Sequence, residues 1–381
     1  MEYPFDELIE RRDTGCVKWD EMSDANIIPL WVADMDFAVA PAIQEAIRKR
    51  AAHPVFGYTY VQDDYYEAVI SWFLRRHGWT IQREWMLYTT GVVPAMSCVI
   101  KALTMPGEKV LILSPDYNCF FSSIRNNGCE VLENKLVRKN YSFEIDWNDF
   151  EIKCADEKTT VFLLCNPHNP TGRVWTRKEL ERMRDICHLH HVRIVSDEIH
   201  CELIMPGYHF CPMGIIDSEA IILNSPSKSF NIAGLQIANI ICQDAEIRRR
   251  IDRAININEV CDVNPFAPIA VKAAYNESEE WIDELNQYLC QNYQILNLFF
   301  SKELPQCKVC KLEGTYLVWI DVSALGIPVE QLCERLLNKG KVWVNPGTMY
   351  GTESGKGYIR INIACPRNRL IEGLKRIKAT I

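Results

Sequence analysis

A single lysine stands among small, hydroxyl-bearing and apolar residues at 225–235, which read Ser-Pro-Ser-Lys-Ser-Phe-Asn-Ile-Ala-Gly-Leu. This residue, Lys228, follows an apolar run at 220–223 that predicts a short buried strand. A lysine that is partly desolvated, or close to other positive charge, loses its proton more easily, and its free amine can form a Schiff base with an aldehyde. The stretch therefore has the chemistry of a carbonyl-binding lysine, and a surface lysine in a turn is the alternative.

Three apolar runs that predict buried strands, at 110–113, 161–165 and 192–196, end in residues that could serve the same chemistry. Tyr117 lies just past the first run, where ligands collect in open α/β sheets. Asn169 lies in the proline-rich turn after the second, and its amide can donate to an oxygen anion. Asp197 places a carboxylate directly after the third.

An arginine and a glycine indicate where anionic groups would bind. Arg360 stands alone in the apolar strand pattern of residues 358–362. A buried guanidinium is costly unless it meets a carboxylate, and its planar fork suits a bidentate one, which can belong to a substrate or to a structural ion pair. In the stretch 89–95 a glycine precedes a helical pattern, and such a helix start exposes backbone N–H groups that favour a phosphate.

These motifs, in this order, resemble those of fold-type I pyridoxal 5′-phosphate (PLP) enzymes of the class I and II aminotransferase superfamily. The Ser-Lys-Ser-Phe-Asn-Ile-Ala-Gly-Leu version at 227–235 is similar to the MalY/PatB-type cystathionine β-lyase branch, and so is Trp-Val-Ala-Asp-Met-Asp-Phe at 31–37. The resemblance extends over nearly the whole chain. It implies PLP joined to Lys228 and a protonated pyridine nitrogen held by Asp197, which deepens the electron sink.

The resemblance also implies the remaining site residues. It assigns the cofactor phosphate to the backbone of Gly91, Val92 and Val93, to Ser225, and to Tyr58, which reaches across a homodimer from the neighbouring subunit. The alternative for Tyr58 is a packing role. It also implies that the Tyr117 ring stacks on the pyridine, that Asn169 donates to the phenolate oxygen of the cofactor, and that His200 lies near that oxygen. The implied contacts to the substrate come from Arg360, Asn169 and Ala33.

Two departures from the wider family favour the lyase branch. His200 stands where many aminotransferases carry a tyrosine, and Gln236 stands where many carry a phosphate-binding arginine. The resemblance therefore implies a carbon–sulfur β-lyase that cleaves L-cystathionine or cysteine conjugates to a thiol, pyruvate and ammonia, with shared active sites in a homodimer. A PLP aminotransferase is the alternative, and a regulatory protein that keeps the fold is a third hypothesis.

The elements that must position these residues alternate between apolar strand patterns and amphipathic helix patterns from about residue 50 to 280. This alternation predicts an α/β fold, with a mostly parallel sheet covered by helices. With the resemblance, we predict the PLP-dependent transferase fold type I: a large PLP-binding domain at 49–280 and a smaller α+β domain built from an N-terminal segment at 1–48 and the C-terminal residues 281–381.

Composition narrows the functional classes. The net charge of −8 offers no basic surface for nucleic acid, and no long apolar run indicates a membrane span. The 16 cysteines are scattered, and Cys307 and Cys310 form a Cys-x-x-Cys pair with no second pair at zinc spacing, so we predict reduced cysteines and no metal. The first residues have neither a basic start nor an apolar run, so we predict a cytoplasmic protein with a small-molecule sulfur amino acid as substrate.

Overall fold

The structure is a computed structural model that describes residues 3–257 and 262–381. Within these ranges the strands are β1 (Ile28–Pro29), β2 (Met86–Thr89), β3 (Lys109–Ser114), β4 (Glu130–Lys135), β5 (Val137–Lys139), β6 (Ser142–Glu144), β7 (Thr159–Cys165), β8 (Arg193–Asp197), β9 (Ile221–Asn224), β10 (Ala238–Ile241), β11 (Lys308–Val309), β12 (Leu317–Asp321), β13 (Val342–Trp343), β14 (Asn345–Pro346) and β15 (Tyr358–Asn362).

The α-helices of the same ranges are α1 (Val17–Asp20), α2 (Pro41–Ala51), α3 (Asp63–His77), α4 (Val92–Leu103), α5 (Asn118–Asn126), α6 (Trp147–Cys154), α7 (Arg177–Leu189), α8 (Met213–Ile216), α9 (Ala245–Asn256), α10 (Ala267–Glu277), α11 (Glu279–Glu303), α12 (Val329–Asn338) and α13 (Arg367–Thr380). Within the described residues, no helix combines the length and the apolar composition that crossing a bilayer requires.

A seven-stranded sheet with the order β2-β10-β9-β8-β7-β3-β4 forms the centre of the molecule. The five strands from β9 to β4 run parallel, and β10 is antiparallel to both of its neighbours. Along β3, Leu111 and Leu113 join one buried apolar cluster, while Val110 and Ile112 join the other. Because alternate side chains point to opposite faces, both faces are covered, which explains the continuous apolar strand sequences. The predicted fold class is confirmed.

A second, antiparallel sheet with the order β11-β12-β15-β14 holds Arg360 in its interior, opposite Trp319 on one side and Asn345 on the other. The N-terminal segment joins this part of the chain because β1 pairs in parallel with β13. On this parallel pair Ile28 N–H donates to Lys341 O at 2.9 Å and Leu30 N–H donates to Trp343 O at 2.8 Å, so the segment that leads to Ala33 is bonded to the C-terminal part of the chain. The domain boundaries at 48 and 280 stay a prediction.

Candidate active site

Lys228 lies in a turn just past the end of β9, and its Nζ donates a 2.5 Å hydrogen bond to the carbonyl oxygen of Ala33. Phe230, two residues on, is fully buried and anchors the turn through a bond from its N–H to Pro226 O. Burial lowers the pKa of Lys228, and the positive charge of Arg360 lowers it further, although Asp34 acts in the opposite direction. Lys228 is therefore held near a cavity, and a larger share of its side chain is in the free-amine form than in an exposed lysine at the same pH.

The cavity beside Lys228 has a volume of about 210 Å³. It brings together most of the predicted site residues: Ala33, Gly91, Val92, Val93, Tyr117, Asn169, Asp197, His200 and Lys228. Sequence reasoning had not selected several other lining residues, namely Thr90, Pro94, Cys165, Ile199, Ser227, Ala233 and Ile237. Several of these are chain neighbours of residues named from the sequence and could have been found from that adjacency: Thr90, Pro94, Ile199, Ser227 and Ile237.

One end of the cavity is formed by the start of α4. Gly91 precedes this helix with φ of 149°, a backbone conformation that residues with a side chain rarely adopt. As in any α-helix, the first N–H groups of this 12-residue helix, those of Val92 and Val93, have no partner within the helix. This end of the cavity is therefore suited to an anion.

Asp197 is the last residue of β8 and is paired in register with Cys165 on β7 and Leu223 on β9. Burial raises the pKa of its carboxyl to about 7, and the nearby Asp116 adds to this rise. The Ile199 N–H, which donates to Oδ1 at 3.1 Å, and Lys228 act in the opposite direction. A cation placed against this carboxylate would favour its ionised form, so the site is prepared for a positively charged partner.

His200 is buried in the cavity wall and is neutral. Burial, together with the positive charges of Lys228 and Arg360, lowers the pKa of its imidazole to about 3. Its Nδ1 is buried, and among the described residues it has no hydrogen-bond partner. A buried polar atom without a partner is costly, so this nitrogen is available to a ligand.

Arg360 is buried and makes two hydrogen bonds, from Nη1 to Asn169 Oδ1 at 3.1 Å and from Nη2 to Trp31 O at 2.9 Å. Its guanidinium also lies 4.6 Å from the centroid of the Tyr350 ring. Among the residues that the structure describes, its recorded partners are these neutral oxygens and the Tyr350 ring, and no carboxylate forms an ion pair with it. The Asn169 oxygen is used by Arg360, which leaves the amide N–H₂ to serve the cavity.

Three predicted residues are not among those that line the cavity: Arg360, which contacts the lining residue Asn169, and Ser225 and Tyr58. Ser225 is not among the residues that line the cavity: its hydroxyl donates to Ile237 O at 2.6 Å and accepts from Ser227 N at 3.1 Å. The hydroxyl is thus occupied by the turn itself. Tyr58 is 99% exposed and lies outside the cavity of its own chain.

Comparison with known proteins decides the family. The family model described as aminotransferase class I and II matches residues 25–377. The chain belongs to this family. Its membership accounts for the position of the cavity at the carboxyl ends of parallel strands, where ligands bind in open α/β sheets.

Individual members of the family narrow the comparison. Cystathionine β-lyase PatB of Bacillus subtilis is 40% identical to this chain over 99% of both sequences. Among solved structures, cystalysin from Treponema denticola, which contains PLP, has a TM-score of 0.96 and 34% identity over 100% of this chain and 99% of its own. The PLP-bound C-S lyase from Staphylococcus hominis with the inhibitor L-cycloserine has a TM-score of 0.94 and 33% identity over 100% of this chain and 98% of that one.

The residues of the cavity fit PLP. A phosphate matches the N–H groups at the start of α4, and a protonated pyridine nitrogen matches the buried carboxyl of Asp197. The unpartnered Nδ1 of His200 and the amide of Asn169 are available to the ring oxygen. Lys228 Nζ supplies the amine for the aldehyde.

Proposed function

We propose that the protein is a PLP-dependent carbon–sulfur β-lyase that cleaves L-cystathionine, or a related cysteine conjugate, to a thiol such as homocysteine, pyruvate and ammonia. The observation that carries the choice of reaction is the 40% identity to the cystathionine β-lyase PatB over 99% of both chains. The geometry is compatible with this activity, because Lys228 and Asp197 line one cavity and Arg360 donates a hydrogen bond to Asn169, which lines the same cavity.

Each site residue has a proposed role. Gly91, Val92 and Val93 bind the phosphate through their backbone, Asp197 binds the pyridine nitrogen, and Tyr117 stacks on the ring. Asn169 and His200 face the ring oxygen. The role predicted for Ser225 would require its hydroxyl to leave Ile237 O, so we propose Ser227, which lines the cavity, as the serine that contacts the phosphate.

When bound, PLP supplies an electron sink for the charge that develops as the substrate loses its α-proton. Arg360 binds the substrate α-carboxylate with its guanidinium fork and so orients the α-carbon towards the cavity. Lys228 Nζ removes the α-proton as the general base. The carbon–sulfur bond then breaks with departure of a thiolate, and the three-carbon remainder reacts with water to give pyruvate and ammonia.

An aminotransferase is the second candidate, because the matching family model describes aminotransferases. Lys228 Nζ would hold the α-proton in either reaction, so this residue does not distinguish the two. A β-thiolate is a better leaving group than any group on an ordinary transamination substrate. Elimination is therefore favoured when the substrate carries sulfur on the β-carbon.

With L-cystathionine and no keto acid, the protein should release pyruvate, ammonia and homocysteine continuously, because elimination regenerates the starting form of the enzyme in every cycle. Coupled pyruvate detection and a thiol reagent measure the two products. A single equivalent of product per subunit, with turnover resuming only after a keto acid is added, would establish the aminotransferase instead. L-Alanine, which has no β-leaving group, is the matched control and should give no burst of thiol or ammonia.

A homodimer with shared active sites is also proposed. Tyr58 belongs to an exposed segment that includes the apolar residues Val55, Phe56 and Tyr60. A tyrosine that lies outside the cavity of its own chain can serve a phosphate only from a second subunit. The side chain at 236 is an uncharged glutamine, so the phosphate would depend more strongly on this additional donor.

Tyr58→Phe should weaken PLP retention by about tenfold or more, because a hydrogen bond to a charged group typically contributes about 1.5–3 kcal/mol. Equilibrium dialysis of PLP measures the change, and sedimentation should give a dimer for both proteins. Tyr60→Phe, at a neighbouring tyrosine that is 71% exposed, is the control and should retain PLP as the unmodified chain does. A fully active monomer would refute the shared-site proposal.

We place this activity in the cytoplasm. The cysteines that the structure describes are free thiols, several of them deep in the core, which supports a reducing compartment.

A further inference from the structure

The carbonyl oxygen of Ala33 accepts hydrogen bonds from two side chains far apart in sequence. Lys228 Nζ lies 2.5 Å away and Tyr316 Oη lies 3.1 Å away. Tyr316 immediately precedes β12 and is completely buried. We propose that Tyr316 is a positioning residue which, by sharing the Ala33 oxygen, determines how firmly Lys228 is held there. Its consequence for turnover rests on the proposed function, whereas its effect on Lys228 does not.

The Ala33 carbonyl is fixed in place because the segment 31–37, here called the active-site strap, is bonded on both sides of it. Asn362 Nδ2 donates to Val32 O and to Asp34 O, each at 2.7 Å. Asn231, three residues after Lys228, donates to two further strap carbonyls, those of Met35 at 3.1 Å and Phe37 at 2.9 Å. The carbonyl therefore cannot follow the lysine when Nζ moves towards a substrate.

Tyr316 remains a neutral donor at any working pH. Burial raises the pKa of its phenol, and the negative charge of Asp34 raises it further. The nearest aromatic neighbour, His200, contacts it edge to face with ring centroids 6.0 Å apart, and the low pKa of that imidazole, about 3, keeps it uncharged. The hydrogen bond from Tyr316 to Ala33 O is thus a constant feature of the site.

The titratable groups that act on Lys228 are Asp34, Asp197 and Cys119, which favour its charged form, and Arg360, which disfavours it; His200, on the cavity wall, responds to the charge of Lys228. Replacing the tyrosine hydroxyl with hydrogen leaves all of these groups in place. The change therefore alters only the number of hydrogen bonds that the Ala33 oxygen accepts, from two to one.

The second donor matters because a carbonyl oxygen has two lone pairs. When Lys228 Nζ leaves to accept a proton from the substrate, the Tyr316 hydroxyl keeps the buried oxygen satisfied, and an orphaned buried acceptor is costly. Without that hydroxyl, the oxygen depends on the lysine alone. The protonated, carbonyl-bound form of Lys228 is then favoured, so its pKa should rise and less free amine is present at a given pH.

The decisive test is the pH dependence of Lys228 acetylation by acetic anhydride in the full-length chain prepared without PLP, followed by mass spectrometry of the peptide that contains it. Tyr316→Phe should move the midpoint of the titration upwards by about half a pH unit. Tyr293→Phe removes a hydroxyl that donates to Cys310 O at 3.1 Å, outside the cavity, and should leave the midpoint where it is. An unchanged midpoint in Tyr316→Phe overturns the proposal.

A second variant distinguishes a change in hydrogen-bond donor strength at position 316 from a disturbance of packing. Tyr316→3-fluorotyrosine retains the ring and makes the hydroxyl a stronger donor, so the midpoint should move downwards. Shifts of the same sign in both variants would overturn the proposal, because a general disturbance of packing, rather than donor strength, would then explain them.

In the PLP-loaded enzyme, Tyr316→Phe should lower kcat at neutral pH by about fivefold with little change in KM, and the acidic limb of the kcat profile should move to higher pH. The two proposals can fail separately. A shifted acetylation midpoint in a protein that releases no pyruvate from cystathionine contradicts the lyase function alone. A lyase whose acetylation midpoint ignores Tyr316 contradicts the positioning role alone.

Discussion

Lys228→Ala is expected to reduce pyruvate release from L-cystathionine by about 10⁴-fold or more, the largest effect of any single substitution in this chain. The reason is that in the proposed mechanism the side chain both joins the cofactor and removes the α-proton, and general acid–base catalysis alone typically contributes about 10²–10⁴-fold. Steady-state turnover in the presence of excess PLP measures the loss.

Trapping with borohydride gives a second measure of the same substitution. Reduction of the PLP-loaded protein should fix the cofactor to the peptide that contains Lys228, and the alanine variant should give no labelled peptide. Lys272→Ala is the control, because Lys272 pairs with Asp64 outside the cavity, and it should keep both activity and label. A label on any other lysine of the unmodified protein would contradict the assignment.

Local sequence rules predicted the elements well wherever the determinants lie close together in the chain. Helix α3 follows such a rule at its end, where Gly78 adopts the left-handed conformation that glycine accepts most readily. Thr176 and Glu179, at the spacing typical of a capping box, form one at the start of α7. Strand β15, which carries Arg360, also has the predicted bounds at 358–362.

The site could be predicted only as far as its motifs extend. The contacts that define the environment of Lys228 join residues that are far apart in the chain. Lys228 and Ala33 are separated by 195 positions, and Ala33 and Tyr316 are separated by 283. No periodicity or turn rule reports such contacts. For the same reason the sequence could not reveal that the Ser225 hydroxyl is used by Ile237 O, since this bond depends on how the turn folds back onto β10. The resemblance indicates which residue types belong to the site, but the direction and hydrogen-bond partner of each side chain depend on the folded chain.

The charge balance around Arg360 supports its proposed role in binding the substrate carboxylate. Its Nη1 and Nη2 bind two neutral oxygens, and its Nε is buried without a partner among the described residues. A buried cation bound only by neutral acceptors is stabilised when an anion arrives. The α-carboxylate of the substrate can supply that anion with bidentate geometry, and because the guanidinium is already held by Asn169 and Trp31, little further ordering is needed.

Arg360→Ala should therefore lower kcat/KM for L-cystathionine by about 30-fold or more, since losing one partner of a buried charge-assisted contact typically costs about 2–5 kcal/mol. The absorbance of bound PLP and the thermal melting curve should remain close to those of the unmodified protein. Arg360→Lys keeps the charge but loses the planar fork, so it should recover only part of the loss.

The most discriminating measurement pairs this substitution with a substrate change. An amine that carries the same β-thioether but no α-carboxylate should react slowly with the unmodified protein and no more slowly with Arg360→Ala. The reason is that neither protein can form the contact between the guanidinium and an α-carboxylate with this substrate. Equal losses on both substrates would mean that Arg360 supports the fold of the site, through Asn169 and the strap carbonyl of Trp31, rather than binding the carboxylate. A loss confined to the carboxylate-bearing substrate assigns the arginine to substrate recognition.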